Sequence, residues 1–134
     1  MDMNYNEKIQ TSIEYIEDNL IEKISLDDLA KKAFLSKYHY HRVFHVLVGE
    51  TLMEYVRKRR LTEAAKELVE SNIKIVEVAL KYQFGSQEAF SRAFRKMFQV
   101  SPGEFRRSKV KVLLYKQIEL CNRKTSTPSM MKAS

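Results

Sequence analysis

Tyr38, His41, Arg42 and His45 stand at i, i+3, i+4 and i+7, and Glu88, Ser91, Arg92 and Arg95 repeat that spacing at an offset of 50. With 3.6 residues per turn, each quartet is one face of a helix. A phenol, two imidazoles, a carboxylate, a hydroxyl and three guanidiniums all meet phosphates or base edges, and arginine can bond guanine O6 and N7 bidentately from the major groove. One such face alone reads as a solvated helix surface. Two repeat-equivalent faces, with Arg42 and Arg92 in register in a basic chain, point to nucleic acid. His41 and His45 also have the spacing of two metal ligands, yet no nearby Cys or Asp completes a site, so no metal and no other cofactor is expected. No Ser-His-Asp set, carboxylate pair or glycine-rich phosphate loop stands out, and no enzymatic activity is expected.

These faces need helices to present them, and the apolar residues supply the pattern. Leu26, Leu29, Ala30 and Ala33 form an apolar stripe answered by Ile75, Val78, Ala79 and Tyr82 at an offset of 49. Tyr40, Val43, Phe44 and Leu47 form a second stripe, answered by Phe90, Ala93, Phe94 and Met97 at an offset of 50. Ser36 and Ser86 precede the second helix of each copy, where a hydroxyl can accept from an unpaired backbone N–H. A short helix, a tight turn and a longer serine-capped helix, stated twice, predict two helix-turn-helix units.

Around the repeats, Ile9, Ile13, Ile16 and Leu20 predict an N-terminal helix with an acidic outer face. Ser25 and Asp28 form a capping-box pattern for the next helix. Gly49 is expected to stop the helix that starts at Ser36. Leu52, Tyr55, Val56, Leu61, Ala64, Ala65 and Leu68 describe a connector helix, with Asn72 expected to cap the helix after it. Ser101-Pro102-Gly103-Glu104 opens a last helix. The fold class is therefore all-α, with a helix-turn-helix subdomain at 1–50, a connector at 51–71, a second subdomain at 72–108 and a tail at 109–134. In the tail, 110–120 reads as a strand or a helix end, and 122–134 has the composition of a disordered end.

The charge is divided along the chain. Residues 1–30 carry eight acids against Lys8 and Lys23, whereas the rest carries 22 bases against nine acids, within an overall charge of +7. The basic part favours a polyanion, because each neutralised phosphate releases condensed counterions. Within Arg57, Lys58, Arg59 and Arg60, one or two members are expected to fold over the core and one or two to touch phosphate. No apolar run reaches the roughly 18 residues that span a bilayer, and the acidic start is unlike a secretory signal, so a cytoplasmic protein is expected. The single Cys121 permits no intrachain disulfide and is read as inert.

The stretches "ISLDDLAKKAFLSKYHYHRVF", "EYVRKRRLTEAAKEL" and above all "SQEAFSRAFRKMFQVSPGEFRR" resemble the DNA-binding region of the AraC/XylS family of bacterial transcription regulators, over about residues 8–108. The chain is similar to its short MarA/SoxS/Rob-like members. The resemblance implies two helix-turn-helix subdomains joined by a long helix, with the helices that follow Ser36 and Ser86 entering successive major-groove segments of double-stranded DNA. It places base-facing positions at Tyr38, His41 and Arg42 and at Gln87, Glu88, Ser91 and Arg92; Gln87 is added by the resemblance alone. Phosphate contacts are expected from Ser36, Lys37, His45, Ser86, Arg95 and Lys96. It further implies an activator that engages RNA polymerase, binds as a monomer and involves no membrane. Phe34 and Gln83 replace the glycines often found at the two corners, and Gln99 with Val100 replaces the glycine before Ser-Pro. Many relatives add a sensing domain, and the tail at 109–134 is read as partly disordered or as a remnant of such an effector domain. Two rival readings are a helical interaction module that contacts RNA polymerase or another regulator with weak DNA binding, and a basic RNA or membrane-surface binder.

Overall fold

The computed structural model describes residues 4–108, in which seven helices and no strand occur; the readings of the tail lie outside them. In chain order the helices are α1 (Tyr5–Asp18), α2 (Leu26–Lys32), α3 (Lys37–Val48), α4 (Leu52–Glu70), α5 (Ile75–Lys81), α6 (Gln87–Phe98) and α7 (Pro102–Ser108). No helix among the described residues is long and apolar enough to cross a membrane.

Most helix starts follow from short polar side chains that accept otherwise unpaired N–H groups. Ser25, Ser36, Ser86 and Ser101 each accept from the amide three residues on, at 3.1 Å. Asn4 does the same for α1, accepting from Asn6 and Glu7. Thr51 and Glu54 make a reciprocal capping box at the start of α4, with bonds of 2.9 and 3.2 Å. Asn72 does not cap α5. The cap position is Lys74, whose side chain makes no capping bond, while the Ser71 hydroxyl accepts from Ile73 N and donates to Glu67 O. The serine closes the end of α4, which leaves Asn72 outside the first turn of α5.

The corners replace glycine without changing the backbone. Phe34 and Gln83, in equivalent places, have φ of 60° and 68°, and Gln99 has φ of 69° where Gly49 has 91°. Left-handed backbone costs an L-residue about 1–2 kcal/mol, and glycine avoids the cost at the expense of about 0.4–1 kcal/mol of chain entropy. Gln99→Gly is therefore expected to stabilise the protein by about 0.5–1 kcal/mol. Urea unfolding of that variant beside Gln99→Ala, which keeps the strain but loses the amide bond to Lys96 O, checks this. Gln99→Gly less stable than Gln99→Ala would show the left-handed turn to be unstrained, because only the entropy cost of glycine would then separate them.

The chain forms two compact units, one containing 24–55 with α1 and the other containing 20–23 and 56–108. In the first, Ile9, Ile13 and Ile16 of α1 are fully buried, as are Tyr40 and Phe44 of α3 and Tyr55 of α4. In the second, Phe90, Phe94, Phe98 and Phe105 cluster with Leu61, Leu68 and Val78; Phe94 lies 4.7 Å from Phe98 and 5.5 Å from Phe105 between ring centroids. Each such ring pair adds to the burial of apolar area that drives packing.

Two arginines, Arg60 buried and Arg106 half-buried, hold the chain at the entry to each repeat. Arg60 donates to Leu20 O at 2.8 Å and Glu22 O at 2.7 Å, while Arg106 donates to Leu68 O, Ser71 O and Ile73 O. A guanidinium is suited to this because its donors are fixed in a planar fork. Burial pulls the Arg60 pKa down. Arg59 is buried too and pairs with Glu63 at 2.9 Å. Of the four-residue basic run Arg57 is exposed and Lys58 half-buried, whereas Arg59 and Arg60 belong to the fold and are not available to phosphate.

Candidate nucleic-acid interface

In α3 the stripe Tyr40, Val43, Phe44 and Leu47 faces inward, with Tyr40 and Phe44 fully buried, and in α6 Phe90, Ala93, Phe94 and Met97 show the same order of burial. Burying those stripes turns the opposite faces outward. Tyr38, Arg42 and His45 are exposed and His41 half-buried; Glu88, Arg92 and Arg95 are exposed and Ser91 half-buried. The two quartets thus match in exposure position by position, although their chemistry differs. Lys37, Gln87 and Lys96 are also exposed.

The helix starts have different electrostatics. The first turn of α3 holds no acid and begins with Lys37, a cation placed against the positive end of the helix dipole. That arrangement concentrates positive potential and suits an anion. In α6 the first turn carries Glu88, which favours the dipole, and the last turn carries Arg95 and Lys96. The Ser36 and Ser86 oxygens accept from backbone amides, and each O–H remains able to donate.

Arg42 is held in place before any partner arrives. Its guanidinium donates to Tyr38 Oη at 3.2 Å and lies 5.7 Å from the centre of that ring. Among the described residues neither Glu88 nor Arg92 is engaged by another side chain. His41 and His45 lie 6.4 Å apart between ring centroids, and no third metal-ligating group joins them among the described residues. One neighbour of the first face was not anticipated. His39 is exposed on α3 and packs edge-on against Tyr5 of α1, with Nε2 and the Tyr5 hydroxyl 3.1 Å apart. No local pattern signals a pair separated by 34 residues.

Residues 29–108 match the helix-turn-helix domain family, a span that contains both repeats from within α2 onwards. The chain is similar to AarP of Providencia stuartii, an HTH-type transcriptional activator: they are 46% identical over 94 residues, which cover 70% of each protein. It is 38% identical over 104 residues to the regulatory protein SoxS of Salmonella typhimurium, covering 78% of this chain and 97% of SoxS. The HTH-type regulator YbfP of Bacillus subtilis is 43% identical over 104 residues but longer, and the match spans 35% of its length. Among solved structures, an AraC-type regulator from Chromobacterium violaceum superposes with a TM-score of 0.73 at 28% identity, over 78% of this chain and 94% of that one. The DNA-binding domain of AdpA, crystallised with a target DNA, gives 0.67 at 25% identity over 80% and 93%. With the family match spanning both repeats from within α2 onwards and these relatives aligned along most of the chain, the protein belongs to the AraC family of helix-turn-helix transcriptional regulators, which are DNA-binding proteins and not enzymes.

Proposed function

We propose that α3 and α6 enter adjacent major-groove segments of one DNA duplex and that the protein, working in the cytoplasm, activates transcription from the site they select. The observation that carries this reading is the matched exposure of the two helix faces, with Arg42 and Arg92 at equivalent places. Tyr38, His41 and Arg42 read one segment, and Gln87, Glu88, Ser91 and Arg92 the other. Ser36, Lys37, His45, Ser86, Arg95 and Lys96 contact phosphates and fix the register. The reading heads lie within 1–50 and 72–108, with 51–71 as connector. Activation, with contact to RNA polymerase, is supported by similarity to AarP, which is named an activator.

Titration of genomic fragments and random duplex across a salt series tests the DNA reading. Tight binding of particular fragments is expected; steep salt dependence without preference would mark a nonspecific polyanion binder, and no binding would favour an interaction module. Lys37→Ala and Lys96→Ala are expected to weaken specific and random DNA alike and to flatten the log-log salt slope by about 0.9 each. A changed base preference in either variant would move that lysine from the phosphates to the bases.

A further inference from the structure

We propose that the cleft between α1 and α2 is a binding site for a small planar aromatic carboxylate, a site that neither depends on DNA nor overlaps the two quartets described above. The cleft encloses about 320 Å³, within the range typical of small-molecule sites, and belongs wholly to the first unit. Its walls are mostly apolar: Leu29 and Ala33 form the buried side, and the rings of Tyr15 and Phe34 line the rest.

Phe34 carries the argument furthest. Its side chain is 87% exposed, and its backbone holds a φ of 60° that glycine would adopt without strain. The fold needs no phenylalanine there, since an exposed ring contributes little to a core and the turn disfavours a Cβ. What the ring does is form one wall of the cleft. Backbone strain in an exposed aromatic is accounted for when a flat apolar ligand covers the ring.

The polar groups specify the ligand's charge. Lys8 Nζ bonds Ala33 O and sits 5.4 Å from the Phe34 ring centre, and Lys32 Nζ sits 5.0 Å from that of Tyr15. Both ammoniums line the cleft, and among the described residues no carboxylate pairs with either. Glu7 also lines it, which leaves an excess of one positive charge, suited to a monoanion. Ser12, 5% exposed, also lines the cleft. Next to it the fully buried Tyr40 hydroxyl makes no hydrogen bond of good geometry; burial pushes its pKa up to about 12, opposed in part by Ser12. An aromatic ring between Phe34 and Leu29, with a carboxylate reaching the Lys8 and Lys32 ammoniums, suits both the apolar wall and the charge of the cleft. Because α1 and α2 both pack on α3, occupancy bears on the helix that carries Tyr38 and Arg42.

The test is a two-dimensional amide NMR titration of the full chain with 2-naphthoate, and with 2-naphthylmethylammonium as the cationic counterpart. Saturable shifts in residues 7–15 and 29–34, extending no further than α3, are expected for the carboxylate, with the ammonium compound binding at least about tenfold more weakly. Phe34→Gly, which suits the turn and preserves the fold, and Lys32→Glu should each weaken naphthoate at least about tenfold, whereas Lys31→Glu, paired to Asp27 outside the cleft, should not. Shifts that are scattered or fail to saturate, equal binding of the two compounds, unchanged affinity in Phe34→Gly, or an equal loss in Lys31→Glu would each overturn the proposal.

Discussion

Arg42→Ala and Arg92→Ala are each expected to weaken binding to a cognate duplex by about 1–3 kcal/mol, roughly 5- to 150-fold, and to relax base preference in one segment of the site only. The size follows from losing a bidentate pair to guanine O6 and N7, which no shorter side chain at these positions reproduces. The two losses are not expected to be equal. Arg42 already rests on Tyr38 through a 3.2 Å hydrogen bond and a ring contact, so little of its rotamer freedom is left to lose on binding. Arg92 has no such support among the described residues and must be ordered by the DNA, at a cost of about 0.5–1.5 kcal/mol. Arg42→Ala should therefore fall in the upper half of the range and Arg92→Ala in the lower. Tyr38→Phe, which keeps the ring and removes the acceptor, should fall between wild type and Arg42→Ala. Affinities for every single-base variant of the site check this. Uniform weakening across all sequences would make the arginine in question a phosphate contact.

The parts of this arrangement that are local in sequence were legible there. The stripes of α3 and α6 predicted which faces turn inward, and the burial of Tyr40, Phe44, Phe90 and Phe94 follows that pattern. Ser36 and Ser86 were readable as caps because a cap and its amide lie three residues apart. The glycine stop at Gly49 is equally local. What escaped depends on partners far along the chain. Arg60 looks like its exposed neighbour Arg57 until Leu20 O and Glu22 O are found beside it, about forty residues earlier in sequence. Asn72 was chosen as a cap by residue type, yet Ser71 had already closed the preceding helix and shifted the start of α5 to Lys74. Phe34 and Gln83 broke the glycine pattern at the corners without moving the corners: in both, the next amide closes the turn at 3.0 Å, Leu35 N–H to Ala30 O and Phe84 N–H to Ala79 O. The α1–α2 cleft and the Tyr5–His39 contact each join residues from different helices, and no periodicity announces either.

Inserting five base pairs between the two contacted DNA segments is expected to abolish specific binding, leaving only the affinity shown for random duplex. The reason lies in α4, a continuous helix of 19 residues, which at 1.5 Å per residue is about 28 Å long. Major-groove segments on one side of B-DNA repeat about every 34 Å, and the proposed reading assigns the two segments to helices of one chain joined by this continuous element. A half-turn insertion rotates one segment to the opposite side of the duplex. Inserting a full turn restores the phase but adds about 34 Å that a hydrogen-bonded helix cannot span, so binding should stay lost. That second arm separates one chain reading both segments from two chains reading one each, since independent chains would regain affinity once the phase returns. A single chain also requires a nonpalindromic site of roughly 20 base pairs, because Tyr38, His41 and Arg42 present different donors and acceptors from Glu88, Ser91 and Arg92. Sedimentation of the complex on the unmodified site should then give one protein per duplex. Two chains on a strict palindrome, or recovery of affinity with the ten-base-pair insertion, would defeat the monomer reading while leaving each reading face intact.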